Sequence, residues 1–258
     1  MRHSNLLPER RTFLFLHGIG DSSLNYQPFL NTPALSQFNL LIPDLLGYGK
    51  SSASKDYSIQ RQVDLVVDHI KTIEKQCQFP FNELVLIPHS MASIHAMLMC
   101  DTVPNNQIKG VINVEGSVTQ YGSFISEAVT GIGKDEFAKW FDVFKETKIF
   151  TQFIQKYPSC RSYYASLQFC QPEALLQNAL EIYQYCHADT GEYTNTAGNK
   201  FAQCSLPKVY CYGDKSLCRE SLDFLQDHRV PLKVFHTDNH FVMQQCFDEF
   251  VAFIASWK

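Results

Sequence analysis

Short apolar runs alternate with amphipathic stretches over much of this chain, and the alternation breaks once. "TFLFLHG" (12–18) and "NLLIPDLLGYG" (39–49) read as buried strands, each feeding a loop that ends in glycine. "SIQRQVDLVVDHIKTIEKQ" follows, with Ile59, Val63, Val66, Val67, Ile70 and Ile73 on one face and Ser58 placed to cap the N-terminus. That spacing predicts an amphipathic helix. A strand over 84–88 comes next, then a helix from about Met91 to Asp101. The β-branched run "KGVINVEG" (109–116) then has the content of a central strand.

From Ser117 to about Ser205 the alternation stops. Helix formers and aromatics dominate there, as in "KDEFAKWFDVFKETKIFTQFI" and "PEALLQNALEIYQYC", and "HADTGEYTNTAGN" (187–199) reads as a polar loop. The pattern then resumes with a strand at 208–214, a helix at 216–228, a strand at 231–237 and a closing helix. That last helix sets Met243, Phe247, Phe250, Val251, Ile254 and Trp257 along one stripe. The prediction is an α/β fold with a mostly parallel, doubly wound sheet. Residues 1–116 and 206–258 would form its core, and 117–205 a helical insertion.

Composition narrows the classes. The 258 residues are 45% hydrophobic, enough for one large core, and the net charge of −4 gives no basic surface for nucleic acid or anionic membrane. The longest apolar runs are strand-length, so no membrane span is expected. No apolar segment of signal-peptide length precedes the first strand, which points to a cytoplasmic protein. Nine cysteines, odd in number and without a CxxC pair, then read as reduced thiols. No Cys/His cluster has metal-ligand spacing, so neither metal nor cofactor is expected. The partner implied is a small molecule, and oligomeric state is not encoded in any pattern here.

The segment with chemical promise is "LVLIPHSMAS" (84–93), where Ser90 sits at the join of a predicted strand and helix. A nucleophile elbow needs a strand before its serine, a helix after it, and small neighbours so that the turn can close. Ala92 supplies the small residue on the helix side. Pro88 is acceptable as the last residue of a strand but restricts close packing. Ser90 would take positive φ, a strain of about 1–3 kcal/mol that is tolerated mainly at functional sites. The pentapeptide alone is equally compatible with Ser90 as a helix cap.

Four segments in order resemble the α/β-hydrolase family: "FLFLHGIGDSS", "IPDLLGYGKSS", "LIPHSMAS" and "TDNHFVMQQCFDEF". The matches run from residue 13 to the C-terminus and leave only 117–205 poorly covered, where the family places its cap. The resemblance implies a sheet of the α/β-hydrolase type, Ser90 as nucleophile and His240 as general base, because serine needs a base to take its proton. It also implies an oxyanion hole from the backbone N–H groups of Ile19 and Met91, leaving those side chains to shape an apolar pocket. His17 would hold its loop by hydrogen bonding, and Asp44 with Gly47 to Ser51 would be loop architecture. His236 would be structural within its strand, His89 would point away from the site, and His69 and His95 would be packing or surface residues.

The acid departs from the family pattern. The family commonly carries it after the seventh strand as G-x-x-D, but "YGDKS" puts Ser216 there, with Asp214 displaced towards the strand. Some members, among them haloalkane dehalogenases with a glutamate acid, carry it after the sixth strand, and Glu115 in "INVEGS" matches that place. Glu115 is therefore favoured, with Asp214 as the alternative.

The activity implied is cleavage of an ester-like acyl bond of a small, largely apolar substrate through an acyl-enzyme. A serine nucleophile argues against epoxide hydrolase and haloalkane dehalogenase chemistry, which use aspartate in this fold. An acyltransferase or C–C hydrolase could use the same triad, and charged residues of the insert such as Arg161 could meet a polar substrate group. The rival from another class is a non-catalytic small-molecule-binding protein, supported by Pro88 and the missing G-x-x-D acid.

Overall fold

The computed structural model describes residues 1–104, 106–121, 124–129, 131–186 and 196–257. The strands are β1 (Arg2–His3), β2 (Thr12–Leu16), β3 (Asn39–Ile42), β4 (Leu84–Pro88), β5 (Ile108–Val114), β6 (Lys208–Gly213) and β7 (Leu232–Phe235). They form one sheet in the order β1-β3-β2-β4-β5-β6-β7, parallel except for β1. β2, β3 and β4 are buried at every position, which explains why they read as continuous apolar runs without alternation. Pro88 does end β4, in register with Leu16. From β2 the chain steps outward to β3 and then returns to β4 on β2's other side. The strand order therefore reverses between β2 and β4, where ligands of open α/β sheets bind.

Helices α1 (Gln27–Leu30), α2 (Ile59–Cys77) and α3 (Ala92–Thr102) belong to the first half of the chain. Ser58 caps α2 by accepting from the Arg61 N–H, and the predicted apolar face is buried. Between β5 and β6 run α4 (Phe124–Val129), α5 (Lys134–Phe144), a π-helical stretch (Lys145–Ile154), α6 (Arg161–Leu167), α7 (Pro172–Cys186) and α8 (Thr196–Gln203). The polar loop expected over 187–199 lies outside the described residues as far as 195, and 196–199 instead open α8. After β6 comes α9 (Arg219–Asp227), which starts later than expected because Cys218 is extended at φ −68°, ψ 154°. The single closing helix expected is two, α10 (Val242–Gln245) and α11 (Phe247–Ala255), because Cys246 leaves helical geometry at φ −112°, ψ 45°. Among the described residues no helix is long and apolar enough to cross a membrane.

Buried polar groups tie the loops and the insert to the sheet. His17 donates from Nδ1 to the Gly18 carbonyl at 2.9 Å, and its Nε2 accepts from the Leu45 N–H at 3.0 Å, joining the loops after β2 and β3. Asp44 accepts from the Ser23 and Lys50 N–H groups. Its carboxylate fills the space a side chain at Gly49 would need, and Gly49 is left-handed at φ 55°. His95 donates to Gln62 Oε1 at 2.7 Å, and Gln62 and Tyr48 both donate to Asn178 Oδ1 of α7. Asp21 accepts from the Ser22 N–H and from Asn25. Next to it, the Ser22 and Ser166 hydroxyls share a hydrogen bond of 2.7 Å.

Burial sets the charge of these groups. It lowers His17 to about 4 and His95 to about 3, lowers His89 well below its ordinary value, and raises Asp21 to about 7. Between pH 4.5 and 6 the unfolded chain binds three histidine protons that the native state refuses, while native Asp21 keeps one that the unfolded chain gives up. Among these four groups the difference is roughly two protons, so together they make stability fall with acid by about 3 kcal/mol per pH unit at most. Urea midpoints at pH 7, 6 and 5 should fall accordingly. Asp21→Asn removes the opposing contribution and should steepen that fall, and an unchanged or shallower slope would contradict the assignment.

Candidate active site

The C-terminal ends of β2, β4, β5, β6 and β7 lie side by side, and each contributes to one cleft of about 960 Å3, its open mouth included. Gly18, Ile19, His89, Ser90, Glu115, Ser216 and His240 all line it.

Ser90 has φ 54°, the left-handed turn that an elbow requires. Its N–H donates to the Val114 carbonyl of β5 at 3.0 Å, and its own carbonyl accepts from the Ser93 N–H in the first turn of α3. The turn is tight on its other side too. A Cβ on Gly18 would stand 3.0 Å from the Ser90 Cβ and 3.1 Å from His89 Nδ1, so any larger residue there would push these neighbours aside by a few tenths of an ångström. Among the described residues, the N–H groups of Ile19 and Met91 have no protein partner. The Ile19 side chain lines the cleft as expected. That of Met91 does not: it is wholly buried.

Glu115 is the second non-glycine residue at this edge with a left-handed backbone, φ 49°. Its N–H donates to the Cys211 carbonyl of β6. The side chain, buried to 3% exposure, turns towards the loop after β6. There Oε1 accepts from the Gly213 N–H at 2.7 Å and from the Ser216 hydroxyl. Oε2 is left facing His240, 3.5 Å from Nδ1. Asp214 is elsewhere. It pairs with His236 Nδ1 at 2.9 Å and accepts from the Thr237 N–H.

His240 sits between β7 and α10 on a loop pinned from several sides. Asn239 is buried, donates its N–H to Thr237 Oγ1, accepts from the Phe241 N–H and donates to Cys160 Sγ. Phe241 packs on Tyr163 of α6 with ring centroids 4.8 Å apart, and the Tyr163 hydroxyl donates to the Ile19 carbonyl.

Two sequence expectations need correction. His89 does not point away: its ring lies 4.8 Å from that of His240, and its Nε2 donates to the His240 carbonyl at 3.1 Å. The left-handed turn at Ser90 interrupts strand alternation, and Gly18 leaves the room that the imidazole occupies. Burial first, then the neighbouring His240, hold His89 well below its ordinary pKa and hence neutral, as a single-proton donor requires. His236 is not a strand residue either: it follows β7 and its side chain is 90% exposed. Arg161 is exposed and does not line the cleft. Ser216 is the residue that sequence reasoning undervalued. It stands where the family pattern expects a carboxylate, and a hydroxyl there could have been read as a donor to a carboxylate arriving from elsewhere.

Beyond the histidines and Glu115, the described residues that line the cleft are uncharged. Ile125, Ile149, Phe153, Ile182 and Leu217 give apolar surface, and Ser126, Cys218 and Ser221 give small polar groups. Among the described residues no group of three or more His, Cys, Asp or Glu side chains could hold a metal ion.

Comparison with known proteins agrees with this architecture. A family model described as alpha/beta hydrolase fold matches residues 11–207, spanning the loop after β2, the turn at Ser90 and Glu115 but stopping before His240. A curated epoxide hydrolase of Caballeronia sordidicola is 30% identical over 83 residues, which are 32% of this chain and 24% of the relative. The chain thus spans about a quarter of the length of the curated relative it matches. Two solved structures superpose over nearly the whole chain. A hydrolase from Pseudomonas aeruginosa PA01 gives a TM-score of 0.72 at 14% identity, covering 99% of this chain and 92% of that one. An esterase from Exiguobacterium antarcticum gives 0.70 at 15%, covering 95% and 91%. At these identities the likeness is one of fold. With the sheet order, the elbow turn and the family match together, the chain belongs to the α/β-hydrolase fold family.

Proposed function

We propose that the chain is a serine hydrolase that cleaves an ester-like acyl bond of a small, uncharged, largely apolar substrate through an acyl-enzyme. The observation that carries this reading is the convergence of left-handed Ser90, His240 and buried Glu115 on one cleft, with His240 Nδ1 3.5 Å from the Glu115 carboxylate. In this reading 117–205 acts as a cap over a core of 1–116 and 206–258.

Ser90 Oγ attacks the carbonyl carbon as His240 Nε2 takes its proton. The Glu115 carboxylate fixes Nδ1–H as the opposite tautomeric site and stabilises the imidazolium that forms. The developing oxyanion is met by the N–H groups of Ile19 and Met91, each such donor being worth about 2.7–4 kcal/mol in the transition state. The alcohol leaves with the proton from His240, and water, activated by the same imidazole, hydrolyses the acyl-enzyme. Uncharged walls favour a neutral substrate, since a charged group would lose its hydration there with no counter-ion to replace it. Epoxide opening is not carried over from the curated relative, because the elbow holds a serine in place of the aspartate which that chemistry uses in this fold.

A fluorophosphonate probe tests the nucleophile. One adduct, mapped to Ser90 by mass spectrometry and lost in Ser90→Ala, is the expected result. A folded protein that takes no adduct would sink the reading in favour of a non-catalytic binding protein.

The acid is tested separately on a neutral nitrophenyl ester. Glu115→Gln should lower kcat by about 10³–10⁴ with little change in KM, as removal of a triad carboxylate does elsewhere. Asp214→Asn should stay within about twofold, because that carboxylate is engaged with exposed His236. The reverse ranking would move the acid to the loop after β6.

A further inference from the structure

Away from the cleft, two cysteines more than a hundred positions apart in sequence meet at one spot on the surface. Cys100 lies near the C-terminus of α3, the helix that begins at the elbow, and Cys204 directly follows α8, the last helix of the insert. Both are free thiols of intermediate exposure, their side chains lie against each other, and both line the same open groove.

The helices that carry them are held together beside the pair. Lys200 of α8 forms an ion pair with Asp101, the neighbour of Cys100. Lys208 at the start of β6 donates from Nζ to the carbonyls of Ala202 and Cys204, fixing the end of α8. Two side chains that could drift apart on a mobile surface are thus kept in register by contacts on either side.

The two thiols also differ in character. The neighbouring Cys100 side chain, the Leu206 N–H and the Lys208 ammonium, whose Nζ donates to the Cys204 carbonyl, hold the Cys204 thiol below its ordinary pKa. A thiolate is the form that attacks a disulfide, so Cys204 is suited to react first and Cys100 to resolve.

We propose that Cys100 and Cys204 form a redox-active dithiol that closes to an intramolecular disulfide in the presence of a low-molecular-weight disulfide, tying the end of the insert to the elbow helix. The Cys204 thiolate attacks one sulfur of the oxidant, forming a mixed disulfide and expelling one thiolate. Cys100 then gives up its proton and attacks Cys204 Sγ, forming the internal S–S bond and expelling the second thiolate. The protein loses two electrons and two protons, and the oxidant becomes two thiols. The bond closes a loop of about a hundred residues in the unfolded chain, a restriction that stabilises the folded state. This inference stands apart from ester cleavage and does not depend on it.

The test uses the full chain, first reduced and then incubated with oxidised glutathione, followed by alkylation and peptide mapping. The expected product is a single cross-linked peptide joining Cys100 to Cys204, with the other cysteines alkylated, and a Tm raised by about 5–10 °C that dithiothreitol reverses. Cys100→Ser should stop at a glutathione adduct on Cys204 and show no such rise, whereas Cys204→Ser should leave Cys100 alkylated. Both thiols remaining alkylated in the wild-type chain, or a cross-link elsewhere, would overturn the proposal. A Cys100–Cys204 cross-link with unchanged Tm would overturn its tethering role.

Discussion

Two backbone hydrogen bonds at the C-terminal edge of the sheet organise everything above it: Ser90 N–H to the Val114 carbonyl, and Glu115 N–H to the Cys211 carbonyl. Each carries strand pairing past the end of its strand, by two residues at Ser90 and one at Glu115, into a position that is left-handed and not glycine. A left-handed conformation at such residues costs on the order of 1–3 kcal/mol each, and an isolated turn would relax out of it. Here each N–H is held by a buried residue of the neighbouring strand, Val114 or Cys211, so relaxation would forfeit a buried hydrogen bond. The same two turns throw Ser90 and Glu115 off the sheet into the cleft. Strain and site geometry are therefore one feature of the backbone.

The insert depends on that edge in turn. It sits close over the loops after β2 and β3 because those loops present glycine where a side chain would collide. A Cβ on Gly20 would meet Leu167 at 2.6 Å, and one on Gly47 would meet Ala174 at 2.4 Å. Both glycines also have positive φ. Close approach buries polar groups, and each finds a partner across the seam: Ser22 with Ser166, Tyr48 and Gln62 with Asn178, Tyr163 with the Ile19 carbonyl. A buried polar group without a partner would cost about 1–3 kcal/mol, so this seam tolerates one arrangement far better than any other. The loop after β2 is fixed from above by that arrangement and from below by His17.

Legibility in the sequence follows the range of the interaction. The sheet strands could be read because they are buried on both faces, and the elbow because strand, serine and helix are contiguous. The family resemblance supplied the fold, and the structure bears that out. What escaped were features decided between distant segments. The direction of His89 depends on the turn at Ser90 and on the absence of a side chain at Gly18, so strand alternation misplaced it. The break at Cys246 interrupts a stripe whose periodicity is sound on both sides of it. The Ser216–Glu115 and Cys100–Cys204 contacts each join positions about a hundred residues apart, and no local pattern announces either.

The position of Glu115 illustrates how a carboxylate can serve a loop that does not itself carry it. Glu115 arises from β5, yet its carboxylate is bound by the Gly213 N–H and the Ser216 hydroxyl of the loop after β6. The negative charge thus rests against the loop where the family's commoner pattern would carry it, one strand away from its own backbone. Reaching across a strand takes the extra methylene of glutamate and the left-handed turn that aims it. It also leaves the residue at 216 with a new task. An aspartate there would set two carboxylates against each other in a buried space, with at least one forced to hold a proton. Serine instead donates a hydrogen bond to Oε1 and leaves Oε2 to face His240. Ser216 and Glu115 are for that reason complementary: the hydroxyl donates to a carboxylate that the loop after β6 receives from β5.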